Sequence, residues 1–213
     1  MSFSADSKYI VAQLGDPDWV LHYYAWAKEK PIATVRSSPS NEHPISQVSI
    51  NPSDATEFCV TGKGFVTIYR YAEGGLSPLH VKLPPLNYLC HVWTGPNSVV
   101  VGSKEGRLFM IEQGHVIQDY SFAVECYIST MQPVKQGFVA SGVGGFVALF
   151  DVELLPSSFK LREKMALPDP SLVVTSMAST NAEGTLLVEV NTNQIYKIGI
   201  ASADNLKVSK KKL

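Results

Sequence analysis

The feature that most constrains this chain is a period. Short runs rich in Val, Ile, Tyr and Phe are separated by Gly, Pro, Asn, Asp and Ser, the pattern of many short strands. The runs recur in a fixed order, four to a unit. The clearest unit begins with an apolar strand over 45–50 and the turn Asn51-Pro52-Ser53-Asp54-Ala55. A second strand covers 57–61, and Gly62-Lys63-Gly64 supplies a tight hairpin turn in which Gly adopts φ > 0 without a steric penalty. A third strand runs over 65–70 and a fourth over 76–81.

The same order is read at approximately 1–36, 88–122, 126–166 and 173–200. The opening unit has its first strand cut short at Ser2-Phe3. Third strands end near Trp26, Tyr69, Met110, Phe150 and Ile198, a spacing of about 40–48 residues that matches a four-stranded propeller blade. An immunoglobulin-like sandwich or an up-and-down barrel would also contain short strands, but neither explains a four-strand super-period. The expected fold is all-β: a WD-repeat-type β-propeller with about five four-stranded blades over 1–202, an incomplete ring or a fragment of a longer one. Residues 203–213, with Lys210-Lys211-Lys212, read as a polar tail.

Composition narrows function. The 213 residues are 45% hydrophobic and 17% charged with net charge −1, a globular balance without the basic excess that nucleic acid or an anionic membrane would attract. No run approaches a membrane helix, and the first six residues lack the basic and apolar regions of a secretory signal. Cys59, Cys90 and Cys126 each lie in an apolar run, so buried, reduced thiols are expected. The histidines His22, His43, His80, His91 and His115 show no metal-ligand spacing, and no Cys-x-x-Cys, phosphate loop or nucleophile elbow occurs. The glycine-dense Gly142-Val143-Gly144-Gly145 joins two strands and reads as a β-turn. The reading is therefore a non-enzyme with no metal, cofactor or small-molecule substrate.

What remains is recognition by loops on a stiff scaffold. The hairpins Asp16-Pro17-Asp18-Trp19, Gly62-Lys63-Gly64 and Ser103-Lys104-Glu105 hold the same place in successive units, so they and the inter-unit connection 37–44 should open on one face. Asp16, Trp19, Lys63, Lys104 and Glu105 are the candidate partner-binding residues. Trp19 is open to two readings, an exposed contact anchor or a tucked-in loop aromatic. Trp26 and Trp93 are read as core.

Several segments carry a resemblance, in order along nearly the whole chain: Phe3-Ser4-Ala5-Asp6-Ser7-Lys8-Tyr9, residues 48–52, Cys59-Val60-Thr61-Gly62, Val99-Val100-Val101-Gly102, Gly106-Arg107-Leu108-Phe109 and Asn193-Gln194-Ile195-Tyr196. Together they resemble the N-terminal WD-repeat propeller region of the cilia- and flagella-associated protein 57 (WD repeat-containing protein 65) family. The Trp-Asp dipeptide that names WD repeats is absent, and Phe150-Asp151 comes nearest to it. The resemblance implies a protein-binding scaffold of the cytoplasm and cytoskeleton, in the axoneme of motile cilia and flagella, with axonemal or dynein-associated partners and a part in docking or regulating inner dynein arms. The family's long coiled coil has no counterpart in these residues. The alternative is a general WD-repeat adaptor in a cytosolic or nuclear complex.

Overall fold

The computed structural model describes residues 1–122, 126–180 and 184–200, and the backbone strand at 206–209. The turn residues Asn181, Ala182 and Glu183 and the lysines Lys210, Lys211 and Lys212 lie outside the described residues. The strands form five antiparallel sheets, each made of four strands consecutive in sequence. The first blade holds β1 (Ser2–Phe3), β2 (Tyr9–Gln13), β3 (Val20–Ala25) and β4 (Ala33–Arg36). The second holds β5 (Ile45–Asn51), β6 (Asp54–Gly62), β7 (Phe65–Ala72) and β8 (Gly75–His80). The third holds β9 (Tyr88–Trp93), β10 (Ser98–Ser103), β11 (Arg107–Glu112) and β12 (His115–Ser121). The fourth holds β13 (Ile128–Val134), β14 (Gly137–Gly142), β15 (Phe146–Leu154) and β16 (Ser157–Ala166). The fifth holds β17 (Val174–Ser179), β18 (Thr185–Val190), β19 (Ile195–Ile200) and β20 (Leu206–Ser209). First strands of neighbouring blades contact one another, β5 with β9, β9 with β13 and β13 with β17, so they form the inner wall.

The core is four apolar clusters, one at each junction between consecutive blades. The pleat explains how one strand serves two of them, because successive side chains point to opposite faces. In β10, Val99 and Val101 face the second blade while Val100 faces the fourth. In β15, Phe146, Ala148 and Phe150 face the third blade while Val147 and Leu149 face the fifth. Burial on both faces is why these strands read as continuous apolar runs rather than alternating ones. The third junction is the most aromatic: Phe138 and Phe150 stack at 4.9 Å between centroids, and Tyr120, Phe122 and Phe159 meet Phe150 edge-on. Cys59, Cys90 and Cys126 are buried and free, and burial holds all three thiols above their usual range.

Polar groups close the same seams. Between β5 and β9, the Gln47 side-chain amide donates to the His91 carbonyl and accepts the His91 N–H, both at 3.0 Å. Between β12 and β16, Gln118 does the same for Phe159 at 2.7 and 2.8 Å. The fully buried His91 ring lies 2.7 Å from Ser49 Oγ at Nε2 and 3.1 Å from Thr61 Oγ1 at Nδ1. Trp93 Nε1–H donates to Ser49 Oγ at 3.0 Å. The arrangement satisfying every group has Ser49 donating to Nε2 and Nδ1–H donating to Thr61. It requires a neutral imidazole.

Two expectations need correction. Trp26 is 67% exposed rather than core. It stands with Phe3, at 6.0 Å between centroids, beyond the first blade, whose packed residues Val11, Leu21 and Tyr23 all serve the junction with the second blade. Among the described residues, no core cluster joins the fifth blade to the first, so the ring is open there and Trp26 has no blade to cover it. Trp93, by contrast, is buried at 9% exposure. The second correction is at the end: Leu206–Ser209 is the fourth strand of the fifth blade, paired with Lys197–Ile200, and not part of a tail. Its two-residue alternation, Leu206-Lys207-Val208-Ser209, is brief and sits beside a lysine run.

The His91 seam makes a pH prediction. Burial pushes the imidazole down to about 3, whereas an unfolded histidine titrates at about 6.5. The unfolded chain therefore takes up this proton first. The seam's contribution is full above about pH 6.5 and declines by up to about 1.4 kcal/mol per unit as pH falls toward 3. Urea unfolding across this window should show a steeper pH slope for the native chain than for His91→Asn. Equal slopes would contradict the assignment.

Candidate interaction face

Antiparallel strands alternate in direction, so in every blade the turn between the second and third strands emerges at the same end as the connection into the next blade. The structure uses this to pin each hairpin. Pro44, Asn87, Tyr127 and Val173 stand immediately before the first strands of blades two to five. Their carbonyls accept the N–H groups of Lys63 (3.0 Å), Lys104 (2.8 Å), Val143 (3.1 Å) and Asn191 (2.9 Å), the hairpin residues of those same blades. The outgoing connections hold the other side. Gly64 N–H donates to the Leu86 carbonyl at 2.8 Å, Phe122 N–H to Gly106 at 3.1 Å and Leu167 N–H to Gly145 at 2.8 Å. In the first blade Ser37 donates to the Trp19 carbonyl through its N–H (2.9 Å) and hydroxyl (2.8 Å). The hairpins thus share one face, with their backbone groups satisfied within the scaffold.

The predicted site residues divide. Lys63, Lys104 and Glu105 are exposed and line one depression of about 760 Å³ that spans blades two to four. His43, on the connection 37–44 expected to open on this face, completes it with residues the sequence did not name as partner-binding: Leu86, Asn87, Tyr127 and Val143. The repeat itself was the signal that could have found Asn87 and Tyr127, since both hold the position before a first strand. Trp19 lies in a separate depression of about 570 Å³ with Gln13, Gln47 and Ser49. It is half-buried, with φ of +46° and a buried indole N–H that has no hydrogen-bond partner, closer to the tucked-in reading than to an exposed anchor. Asp16 is exposed on the first hairpin and lines neither depression.

Within the larger depression, Lys104 Nζ sits 5.0 Å from the centroid of the Tyr127 ring, a cation–π contact. Both Glu105 carboxylate oxygens are 3.3 Å from the Asn87 N–H. Ser40 Oγ accepts the Glu42 N–H at 3.3 Å and lies 2.7 Å from His43 Nδ1. A Ser40 hydroxyl donating to Nδ1 puts the ring proton on Nε2. Among the described residues, no three His, Cys, Asp or Glu side chains come together as a metal site.

The pinning depends on backbone that only glycine adopts easily. Gly106 has φ of +74°, and a Cβ there would stand 2.6 Å from the Cys126 carbonyl oxygen. Gly106→Ala should therefore destabilise the chain by about 1–3 kcal/mol, through left-handed strain and displacement of the connection at Cys126. Chemical denaturation measures it; a change within about 0.5 kcal/mol would show that this hairpin is not held as described.

Comparison with known proteins agrees with the fold and adds lineage. No protein-family model matches the chain. Among solved structures, the β-propeller domain of Myceliophteria thermophila Cps50 (Swd1) superposes with a TM-score of 0.81 at 15% identity, covering 99% of this chain and 73% of that one. The C-terminal WD40 domain of Sif2 gives 0.74 at 14% identity, covering 94% and 57%. At such identities the likeness concerns the fold alone, and it is that of a WD-repeat propeller. Mouse cilia- and flagella-associated protein 57 is 28% identical over 93% of this chain, and Tetrahymena thermophila cilia- and flagella-associated protein 57 A is 22% identical over 92%. The chain spans about a fifth of the length of these relatives. These matches run along nearly the whole of this chain, which is thus similar in sequence to the cilia- and flagella-associated protein 57 family and has the fold of a WD-repeat propeller.

Proposed function

We propose that this chain is a non-catalytic, protein-binding scaffold of the axoneme in motile cilia and flagella, one that helps dock or regulate inner dynein arms. The observation that carries the scaffold role is the hairpin face. Four consecutive hairpins are fixed by the same hydrogen bond to the preceding connection, which presents exposed side chains on a surface that does not need to reorganise on binding. The ciliary setting is supported by the mouse and Tetrahymena relatives, both named as cilia- and flagella-associated proteins.

Tagged protein expressed in a ciliated cell should show a ciliary pool that survives detergent extraction. Asn87→Trp, which fills the depression on the face without adding charge, should deplete that pool while leaving the fold intact by circular dichroism. A diffuse cytosolic signal with no ciliary pool would overturn the axonemal reading and favour a general adaptor. Undiminished retention of Asn87→Trp would remove this face from the account.

A further inference from the structure

We infer that the depression spanning blades two to four binds an extended acidic segment of a partner protein, with its carboxylates taken between Lys63 and Lys104. The inference rests on the face being the binding surface, as proposed above, and names the chemistry that the face selects.

The groups left to a partner decide the chemistry. The backbone N–H groups of Lys63, Gly64 and Lys104 are engaged by Pro44, Leu86 and Asn87. Recognition therefore falls to side chains. Of the lining residues, Lys63 and Lys104 bring two exposed ammonium groups. His43 adds a ring nitrogen, Nε2, that is an N–H donor in the tautomer in which the Ser40 hydroxyl donates to Nδ1. Among the described lining residues the one carboxylate, Glu105, is turned to the Asn87 N–H. Among the described residues the lining thus brings two ammonium groups against one carboxylate, a net positive charge in a chain whose overall charge is −1. Charge complementarity selects an anionic occupant. The Tyr127 ring beneath Lys104 restrains that ammonium, while Leu86 and Val143 in the lining give the acidic side chains' methylene stems apolar contact. The depression crosses three blades, which suits an extended segment better than a single small anion.

The test uses the whole chain and a fluorescent octaglutamate peptide, read by anisotropy at about 50 mM salt, where exposed charges are weakly screened. Saturable binding is expected, weakening as salt rises to about 200 mM, with no binding of a Gly-Ser peptide of equal length. Lys63→Glu combined with Lys104→Glu should weaken binding at least about tenfold, and Lys63→Arg with Lys104→Arg should retain it. Both lysines are exposed, and Lys63→Gln with Lys104→Gln provides a milder loss of charge should the reversal disturb folding. Equal binding of the neutral peptide, or binding undiminished in the charge-loss pair, overturns the inference. The two readings fail separately. If Asn87→Trp abolishes ciliary retention while charge reversal leaves it intact, the acidic-segment inference falls and the face reading stands. If neither variant alters retention, both fall.

Discussion

Everything in this structure depends on blades that are apolar on both faces. A single four-stranded sheet of this size cannot bury its own side chains, so its apolar faces must be covered by neighbouring blades. The alternation in β10, with Val99 and Val101 to one side and Val100 to the other, is the smallest unit of that constraint. Repeated over five sheets, it gives four seams among the described residues and leaves the outer faces of the first and fifth blades without one. Trp26 and Phe3 mark that of the first blade. The polar seam residues follow from the same packing. Gln47 and Gln118 pair with the next blade's peptide groups as a neighbouring strand would, and His91 is neutral because the seam excludes water around it.

The seams also create the surface proposed for recognition. A hairpin on an isolated sheet would be free to splay. Here, in blades two to five, the residue before the first strand takes the N–H of that blade's own hairpin, and in blades one to four the next connection bonds its other side. Packing between blades thus fixes loop geometry at the rim, and loop geometry brings Lys63, Lys104 and Glu105 together although 40 or so residues separate the two lysines. A partner meets side chains on a framework already ordered, which lowers the ordering entropy of binding.

Much of this was legible in the sequence. The period, the truncated first strand at Ser2-Phe3 and the Gly-containing hairpins are local features, and local features are what a repeat displays. The misread elements depended on what lies next to them in space. In the repeat Trp26 holds the place that the core residues Tyr69 and Phe150 hold in their units, but only the structure shows that, among the described residues, no blade covers it. Leu206–Ser209 is too short and too near lysines to stand out, and pairing with β19 makes it a strand. Asn87 and Tyr127 carry no motif; their role comes from a carbonyl's position in the repeat, which residue type does not encode. Trp19 could have been rim or interior, and its left-handed backbone and buried indole N–H are tertiary outcomes.

The central claim is that seams between blades lock the hairpins into one rigid face. Amide hydrogen exchange at Lys63, Gly64, Lys104, Val143 and Asn191 tests it most directly, because these N–H groups make the pinning bonds. If the account holds, they exchange as slowly as amides of the inner strands and become labile together with them. Exchange as fast as that of exposed loop amides, while the strands stay protected, would contradict it.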